Sequence, residues 1–193
     1  MRVLGEKIEG EGTVLYPIFL NLDGKRCVVV GGGAVANRKA RKLLQARAEV
    51  VAISPEVKPE LESVATEVRR RPYREGDLEG ASLVFAATNR REVNAAVTRE
   101  ARARGIPVNV ADEPSEGDFA LPSVLRRGQL QVAVSTGGAS PTLARRVRYE
   151  LESAFGSEWA GVVEELDRAR RDGRRAEEEL EEVVEECLSR LRG

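Results

Sequence analysis

Short apolar runs alternate with amphipathic stretches over the first 110 residues of the chain. The runs are four to six residues long and rich in valine, which is typical of strands buried on both faces of a parallel sheet. The pattern predicts strands at 25–30, 49–53, 67–71, 82–87 and 107–110, and helices at 34–45, 61–65 and 91–104. Alternation of this kind predicts a Rossmann-like, doubly wound parallel sheet with helices on both faces.

The pattern changes after Ala111. Two further strands and a helix are predicted, at 119–125, 129–135 and 142–153. Ser140 and Pro141 are residue types preferred at the N-cap and first position of such a helix. The last forty residues are highly charged and helical, with one apolar stripe that needs a partner surface, either on the chain's own body or on a second subunit. The stripe consists of Ala176, Leu180, Val183, Val184, Cys187, Leu188 and Leu191. We therefore expect an α/β fold followed by a small α+β region and a helical C-terminal tail.

Three consecutive glycines separate the first predicted strand from the first predicted helix. Gly31, Gly33 and Ala36 match the dinucleotide fingerprint G-x-G-x-x-G/A. Gly31 permits a tight turn, Gly33 lets the backbone approach a pyrophosphate, and Ala36 allows close packing of helix and strand. The helix N-terminus that follows offers unpaired N–H groups to phosphates. A plain glycine turn is the alternative, but the strand and helix alternation that follows favours a dinucleotide site.

Composition narrows the function further. A net charge of −1 argues against a general nucleic-acid binder, and no apolar run is long enough to predict a membrane span, so we expect a cytoplasmic protein. Two cysteines, Cys27 and Cys187, are too few for a disulfide framework. The chain contains no histidine, which excludes a histidine base and every histidine-based metal site; no metal site is predicted.

In a doubly wound sheet, ligands bind beyond the carboxyl ends of the strands. The segments 31–35, 87–89 and 109–113 reach that edge, and Thr88 is a candidate cofactor contact. Asp112 and Glu113 end an apolar strand there, and a carboxylate partly removed from water suits a general base. Either residue is equally well an exposed turn acid ahead of a proline. Thr88 and Asn89 are also typical N-cap residues for the helix that Gly105 ends.

The residues at the ends of the other predicted elements indicate a function less specifically. The second strand is followed by Ser54, Pro55 and Glu56. Glu56 lies slightly past the position whose acidic residue selects NAD, and Ser54 offers only a hydroxyl, so NAD and NADP both remain open. Most arginines are expected on the solvated surface. Better candidates for binding a polycarboxylate substrate lie near glycine turns or a helix N-terminus; these are Arg126, Arg127 and Arg145.

Several separated motifs, in order, resemble those of the precorrin-2 dehydrogenase family, the stand-alone form of the N-terminal half of siroheme synthase. The resemblance extends from about residue 16 to residue 152. It rests on Tyr16-Pro17-Ile18-Phe19-Leu20-Asn21-Leu22, on the glycine loop with Val35-Ala36-Asn37-Arg38-Lys39-Ala40, on Asn109-Val110-Ala111-Asp112, on Phe119-Ala120-Leu121-Pro122-Ser123 and on Val132-Ala133-Val134-Ser135-Thr136-Gly137-Gly138-Ala139-Ser140-Pro141-Thr142-Leu143-Ala144-Arg145.

The resemblance implies an NAD-dependent oxidation of precorrin-2 to sirohydrochlorin in sirohaem biosynthesis, and some members also insert ferrous iron. It places the essential aspartate at Asp112 and the cofactor contacts at Gly31, Gly33, Ala34, Val35, Pro55 and Glu56. It further implies a homodimer, with an NAD-binding domain at 1–113, a dimerisation region at 114–150 and a helical region at 151–193. Because the chain lacks histidine, an iron-inserting role that uses one is not available to it.

Two other functions are alternatives to this one. A non-catalytic, dinucleotide-sensing regulatory domain would share the glycine loop and the sheet. It would need neither the second glycine turn nor an acidic residue at position 112. A different small dehydrogenase is disfavoured because the chain lacks histidine and a Tyr-x-x-x-Lys pair. Turnover of precorrin-2 separates these possibilities.

Overall fold

The N-terminal part of the protein is built around a parallel β-sheet. The structure is a computed structural model that describes residues 15–172 and 177–192, and it divides into two compact units, Leu15–Ala120 and a second that begins at Leu121. The first unit holds a parallel sheet, as predicted. Its five strands are β1 (Arg26–Val30), β2 (Glu49–Ile53), β3 (Glu67–Arg69), β4 (Leu83–Ala86) and β5 (Val108–Val110). Their order in the sheet is β3-β2-β1-β4-β5.

The central strand is buried on both faces because helices cover the sheet from both sides. Helices α1 (Ala34–Gln45), α2 (Pro59–Glu62) and α3 (Arg91–Ala103) connect the strands. Val28 and Val30 of β1 pack into one cluster with Val97 and Ala101 of α3. The alternate residue Cys27 is 0% exposed, and burial raises the pKa of its thiol to about 11. The valine-rich runs of the sequence are thus accounted for by two-sided burial.

Helix ends follow local chemistry. Helix α3 closes with Gly105 at φ +66°, where Gly105 N–H donates to Arg102 O and Ile106 N–H donates to Ala101 O. These two bonds form the Schellman motif predicted from the glycine. At the other end the predicted cap is wrong, since Arg90 occupies the N-cap position. The reason is that the Thr88 hydroxyl turns to the buried amide of Asn94.

Other differences from the predicted boundaries have local causes. The second helix begins earlier than expected because Pro59 occupies its first position, where a missing N–H costs nothing. The strand predicted at 119–125 begins only at Ser123. The residues before it stay with the first unit: Phe119 packs edge-to-face on Phe85, with 5.5 Å between ring centroids, and Asp118 Oδ2 accepts from Val108 N–H. Part of the segment assigned from sequence to dimerisation therefore packs on β5.

The second unit pairs a two-stranded antiparallel hairpin with helices. Its elements are β6 (Ser123–Arg127), β7 (Leu130–Val134), α4 (Pro141–Ala154), α5 (Trp159–Arg171) and α6 (Glu177–Arg192). The hairpin packs on α4, but Leu125 is the only fully buried residue of its two described strands. The fold class expected from sequence is confirmed.

The apolar stripe of the tail finds a surface on the chain itself. Val183 and Cys187 of α6 cluster with Val162 of α5, and Leu166 and Ala169 pack against them. Ala176 and the side chains of Leu180 and Leu191 lie outside the described residues. Within the described parts of the chain, no helix combines the length and apolar character that crossing a bilayer requires.

Candidate functional site

The glycine loop between β1 and α1 is shaped by two neighbouring strand ends. Gly31 has φ +133°, and a Cβ there would lie 2.4 Å from Ala87 O, just beyond β4. A Cβ on Gly32 would lie 1.7 Å from Glu56 O, beyond β2. A Cβ on Gly33 would meet no atom within 4 Å. Because the first two glycines have no Cβ, the loop can lie directly against the edge of the sheet. The third glycine faces open space.

The importance of Gly32 was missed in the sequence, because the fingerprint leaves its middle position free. Its closest neighbour is a backbone carbonyl, which cannot move aside as a flexible side chain can. Lys58 N–H also donates to Gly32 O at 3.0 Å, so two residues of the same segment contact this glycine. The stretch of chain after β2 thus holds the loop in place.

The N-terminus of α1 is open to an anion. Its N-cap residue, Gly33, has no side chain to cap the first N–H groups, and the first turn carries no acidic residue. Ala34 and Val35 are exposed there. Free N–H groups, the positive end of the helix dipole and the empty space over Gly33 together fit a dinucleotide pyrophosphate. Gly31, Gly33, Ala34 and Val35 are thus brought together as the sequence suggested.

Pro55 and Glu56 lie beside this loop and are exposed. The Glu56 carbonyl meets Gly32, which places the second predicted cofactor contact next to the first. The neighbouring arginines are already paired: Arg71 and Arg69 contact Asp77, and Arg70 contacts Glu62. The hydrogen bond from Arg71 lowers the pKa of Asp77 below its usual value. An NADP phosphate would have to compete with these carboxylates for the guanidinium groups.

Asp112 follows β5 at the same edge of the sheet. Its side chain is 33% exposed, and both of its oxygens have polar neighbours. Asn94 Nδ2 donates to Oδ1 at 2.8 Å, and the Arg91 guanidinium lies 3.7 Å from Oδ2. The first turn of α3 thus places an amide and a cation beside the carboxylate.

Asn94 also binds Thr88, the candidate contact after β4. Thr88 N–H and the Thr88 hydroxyl both donate to Asn94 Oδ1, at 3.2 and 2.7 Å. Asn94 and Arg91 were missed in the sequence. A signal was present for Asn94, since an asparagine on the apolar face of an amphipathic helix must find partners within the protein.

Glu113, the second carboxylate, points elsewhere. It is exposed and accepts a hydrogen bond from Ser115 Oγ, in the turn that begins a short 3-10 helix, Pro114–Glu116. This is the turn acid that the sequence offered as its alternative. The two adjacent carboxylates thus differ in environment, and only Asp112 is bound to a buried side chain.

Lys39, another residue missed in the sequence, lies half-buried on the face of the sheet that α1 covers. Its Nζ donates to Asn109 Oδ1 at 3.0 Å and lies 5.5 Å from the centre of the Phe85 ring. Burial, and then the charges of Lys42 and Arg38, lower its pKa to about 8. An ammonium group with a lowered pKa is therefore bound to β5, the strand that precedes Asp112.

The three candidate substrate arginines all belong to the second unit. Arg126 and Arg145 are exposed, and Arg145 lies 3.4 Å from Thr142 Oγ1. Arg127 donates to the carbonyl oxygens of Phe155, Arg126 and Glu152, which ties the hairpin to the end of α4. Across the described residues, His, Cys, Asp and Glu side chains nowhere gather in a group of three that could hold a metal ion.

Comparison with known proteins identifies the family. The family described as "Putative NAD(P)-binding" matches residues 18–123, and "Sirohaem biosynthesis protein central" matches residues 127–154. The siroheme synthase of Methylobacillus flagellatus is 48% identical over 141 residues, which cover 71% of this chain and 30% of that protein. The siroheme synthase of Nitrosomonas europaea is 42% identical over 159 residues, which cover 80% and 34%.

The chain therefore spans about a third of the length of these curated relatives. A solved structure titled "SirC, precorrin-2 dehydrogenase" is 30% identical, with a TM-score of 0.71, and the match covers 89% of this chain and 88% of that one. The NAD(P)-binding match covers the loop, the sheet edge and Asp112, which agrees with the cofactor expected from the sequence. The chain belongs to the precorrin-2 dehydrogenase and siroheme synthase N-terminal domain family.

Proposed function

We propose that the protein oxidises precorrin-2 to sirohydrochlorin with NAD, in the cytoplasm, with Asp112 as the proton acceptor. The observation that carries the proposal is the position of Asp112. It follows β5, at the same edge of the sheet as the open N-terminus of α1, and a buried amide holds its carboxylate. The proposal is supported by the 30% identical relative titled precorrin-2 dehydrogenase, which the chain matches over nearly its whole length.

The reaction removes two hydrogen atoms from precorrin-2, one as a hydride and one as a proton. When bound, NAD supplies the oxidising power by accepting the hydride, so the products are sirohydrochlorin, NADH and one proton. The protein must then provide a proton acceptor, and the chain has no histidine for that purpose. Asp112 is 33% exposed, so its carboxylate is open to a substrate and can pass the proton on to water.

The residues proposed to hold the cofactor lie at three neighbouring strand ends. The N–H groups at the start of α1 bind the pyrophosphate, the residues after β2 contact the ribose side, and Thr88 lies after β4. The proposed contacts are Gly31, Gly33, Ala34, Val35, Pro55, Glu56 and Thr88.

The carboxylate arms of the tetrapyrrole call for cationic partners. Arg126 and Arg145 are exposed and suit bidentate binding of carboxylates. Arg127 is proposed for the same role, although it must then exchange its bonds to backbone carbonyls for bonds to substrate. Insertion of ferrous iron, which the resemblance raised as a second activity, stays a prediction. It is tested by adding ferrous iron to the precorrin-2 oxidation assay described below.

We further propose a homodimer whose subunits contact each other through residues 114–150. In the sequence this region lies between the cofactor domain at 1–113 and the helical region at 151–193. The hairpin has two free edges, and its strands are mostly half-buried in one chain. Leu143, Val147 and Tyr149 of α4 are exposed apolar residues in the same segment. A second copy would cover these surfaces. Light scattering at micromolar concentration tests the proposal, and a monomer contradicts it.

The decisive experiment compares two adjacent carboxylates. Anaerobic precorrin-2 and NAD are followed by absorbance, with and without ferrous iron, for the parent protein, Asp112→Asn and Glu113→Gln. The amide of Asp112→Asn cannot accept a proton, so its turnover should fall about 10²–10⁴-fold while NAD still binds. Glu113→Gln should stay near the parent, because Glu113 is an exposed turn residue.

Two outcomes would contradict the proposal. A parent that binds NAD without oxidising precorrin-2 would favour the alternative, a dinucleotide-sensing domain. A turnover number for Asp112→Asn within a few-fold of the parent would remove Asp112 as the proton acceptor and leave water or another carboxylate in that role.

A further inference from the structure

Asn94 joins two strand ends of the candidate site. We infer that it is a positioning residue, which fixes the Asp112 carboxylate in its productive orientation and links it to the cofactor contact Thr88. The inference rests on the proposed function, in which Asp112 accepts the proton. Asn94 is 0% exposed, so it reaches neither solvent nor a substrate and acts only through these two neighbours.

The Asn94 amide is fully used. Its Nδ2 donates to Thr88 O at 3.0 Å and to Asp112 Oδ1 at 2.8 Å. Its Oδ1 accepts from Thr88 N–H and from the Thr88 hydroxyl. An amide has two donor hydrogens and two acceptor lone pairs, and all four are engaged. The side chain therefore has no spare bond with which to adopt a second position.

The orientation of this amide follows from its partners. Thr88 N–H can only donate, so it needs the amide oxygen. An ionised Asp112 can only accept, so it needs the amide nitrogen. A flipped amide would place oxygen against carboxylate and nitrogen against a backbone N–H. The bond from Nδ2 to Asp112 Oδ1 is strongest to a carboxylate, which is the form that accepts a proton.

Other charges near Asp112 are less firmly placed. Arg91 lies 3.7 Å from Oδ2, but its side chain is 49% exposed and also pairs with Glu116. Glu116 and Glu113 are the remaining charged groups around Arg91, and both are carboxylates. Arg91 can therefore shift between acidic partners, whereas Asn94 cannot. The fixed donor to Asp112 is the buried amide.

The test substitution is Asn94→Asp, which keeps the shape of the side chain and an oxygen for the Thr88 donors. It removes both Nδ2 bonds and places a second acid against Asp112. The kcat for precorrin-2 should fall about 10- to 100-fold, the loss that a misplaced reacting group causes. The acidic limb of the kcat/KM profile should move to higher pH, because a like charge and a lost donor both disfavour the ionised form.

A neutral variant separates position from charge. Asn94→Ala removes the same donor without adding an acid, and the one-third exposed Asp112 can then take water as its partner. Its kcat should fall in the same way, with a smaller displacement of the pH profile. Asn94→Ala also tests the positioning role if Asn94→Asp does not fold. NAD affinity, measured by titration without substrate, should stay closer to the parent in Asn94→Asp, which keeps an oxygen for the Thr88 donors, than in Asn94→Ala, which removes it.

The control is Thr98→Val on the same buried face of α3. Thr98 is 4% exposed, and its hydroxyl donates to Asn94 O at 2.8 Å without touching Asp112. It should lower the temperature of unfolding while leaving kcat and the pH profile as in the parent. Asn94 variants that match Thr98→Val in kcat and pH profile, beside an inactive Asp112→Asn, would overturn the positioning role alone. An inactive parent would overturn the proposed function together with it.

Discussion

The protein contains two glycine turns that each precede a helix, and they are built differently. In the first, Gly31 and Gly32 press against the backbone at Ala87 and Glu56, and no side chain caps the helix that follows. In the second, Gly137 and Gly138 have φ +62° and +91° and no neighbour within 4 Å of an added Cβ. There the helix is capped by its own chain, since Ser140 Oγ accepts from Leu143 N–H at 3.1 Å.

The difference separates the turn proposed to bind the cofactor from a turn whose helix is already capped. A helix N-terminus binds an anion only if its N–H groups have no partner already. Ser140 satisfies such a group in α4, and Thr136 Oγ1 in turn accepts from Ser140 N–H at 3.0 Å. Gly33 leaves the equivalent groups of α1 unsatisfied. Glycine content alone does not distinguish the turns, whereas the residue at the N-cap does.

The largest effect is expected from Gly32→Ala in the first turn. The added Cβ would lie 1.7 Å from Glu56 O, so the chain after β2 must shift away from the loop. We expect the free energy of unfolding to fall by about 3 kcal/mol, the upper part of the usual range for overpacking. Urea denaturation followed by circular dichroism measures the change. A stability equal to that of the parent would show that the close approach is not needed.

Gly33→Val should affect binding rather than folding. Its Cβ enters open space, and its φ of −89° suits valine, so we expect a stable protein. The side chain would occupy the space proposed for the pyrophosphate, and NAD affinity should fall by about tenfold or more, which corresponds to about 1.4 kcal/mol. Calorimetric titration with NAD measures the change. Unchanged affinity in a folded variant would remove the binding turn from this loop.

Ser140→Ala makes the reverse test in the second turn. Loss of the cap should lower the free energy of unfolding by about 1 kcal/mol. NAD affinity should not change, because the capped helix takes no part in the proposed cofactor site. Denaturation and the same titration provide both numbers. A loss of NAD affinity here would join the two turns in one site and end the distinction between them.

A pH-dependent effect is expected from Lys39, a half-buried lysine of α1 whose pKa burial lowers to about 8 from an unfolded value near 10.5. Between these pH values the unfolded chain holds a proton that the folded protein has lost, so folding stability rises with pH across this window. In Lys39→Met this contribution is absent. Between pH 8 and pH 10 the urea midpoint of the parent should rise relative to that of Lys39→Met; parallel changes would contradict the shift.

Sequence reasoning succeeded where local chemistry decides the structure. Gly105 ends α3, Ser140 caps α4, and the valine runs become strands with nearly the predicted bounds, because each depends on neighbours close along the chain. It placed Asp112 at the correct strand end for the same reason. Gly32, Asn94 and Lys39 were missed because their partners lie far along the chain: Glu56, Asp112 and Asn109. Tertiary contacts give these residues their importance.

The buried thiol of Cys27 has a practical consequence. Alkylating reagents attack the thiolate, and a side chain that is 0% exposed with a pKa of about 11 offers them almost none. Cys27 lies in β1, between β2 and β4, so it becomes reactive only when the sheet opens. The rate of Cys27 alkylation in the native protein therefore measures how often the central strand opens. A dinucleotide bound at the loop that follows this strand should lower the alkylation rate.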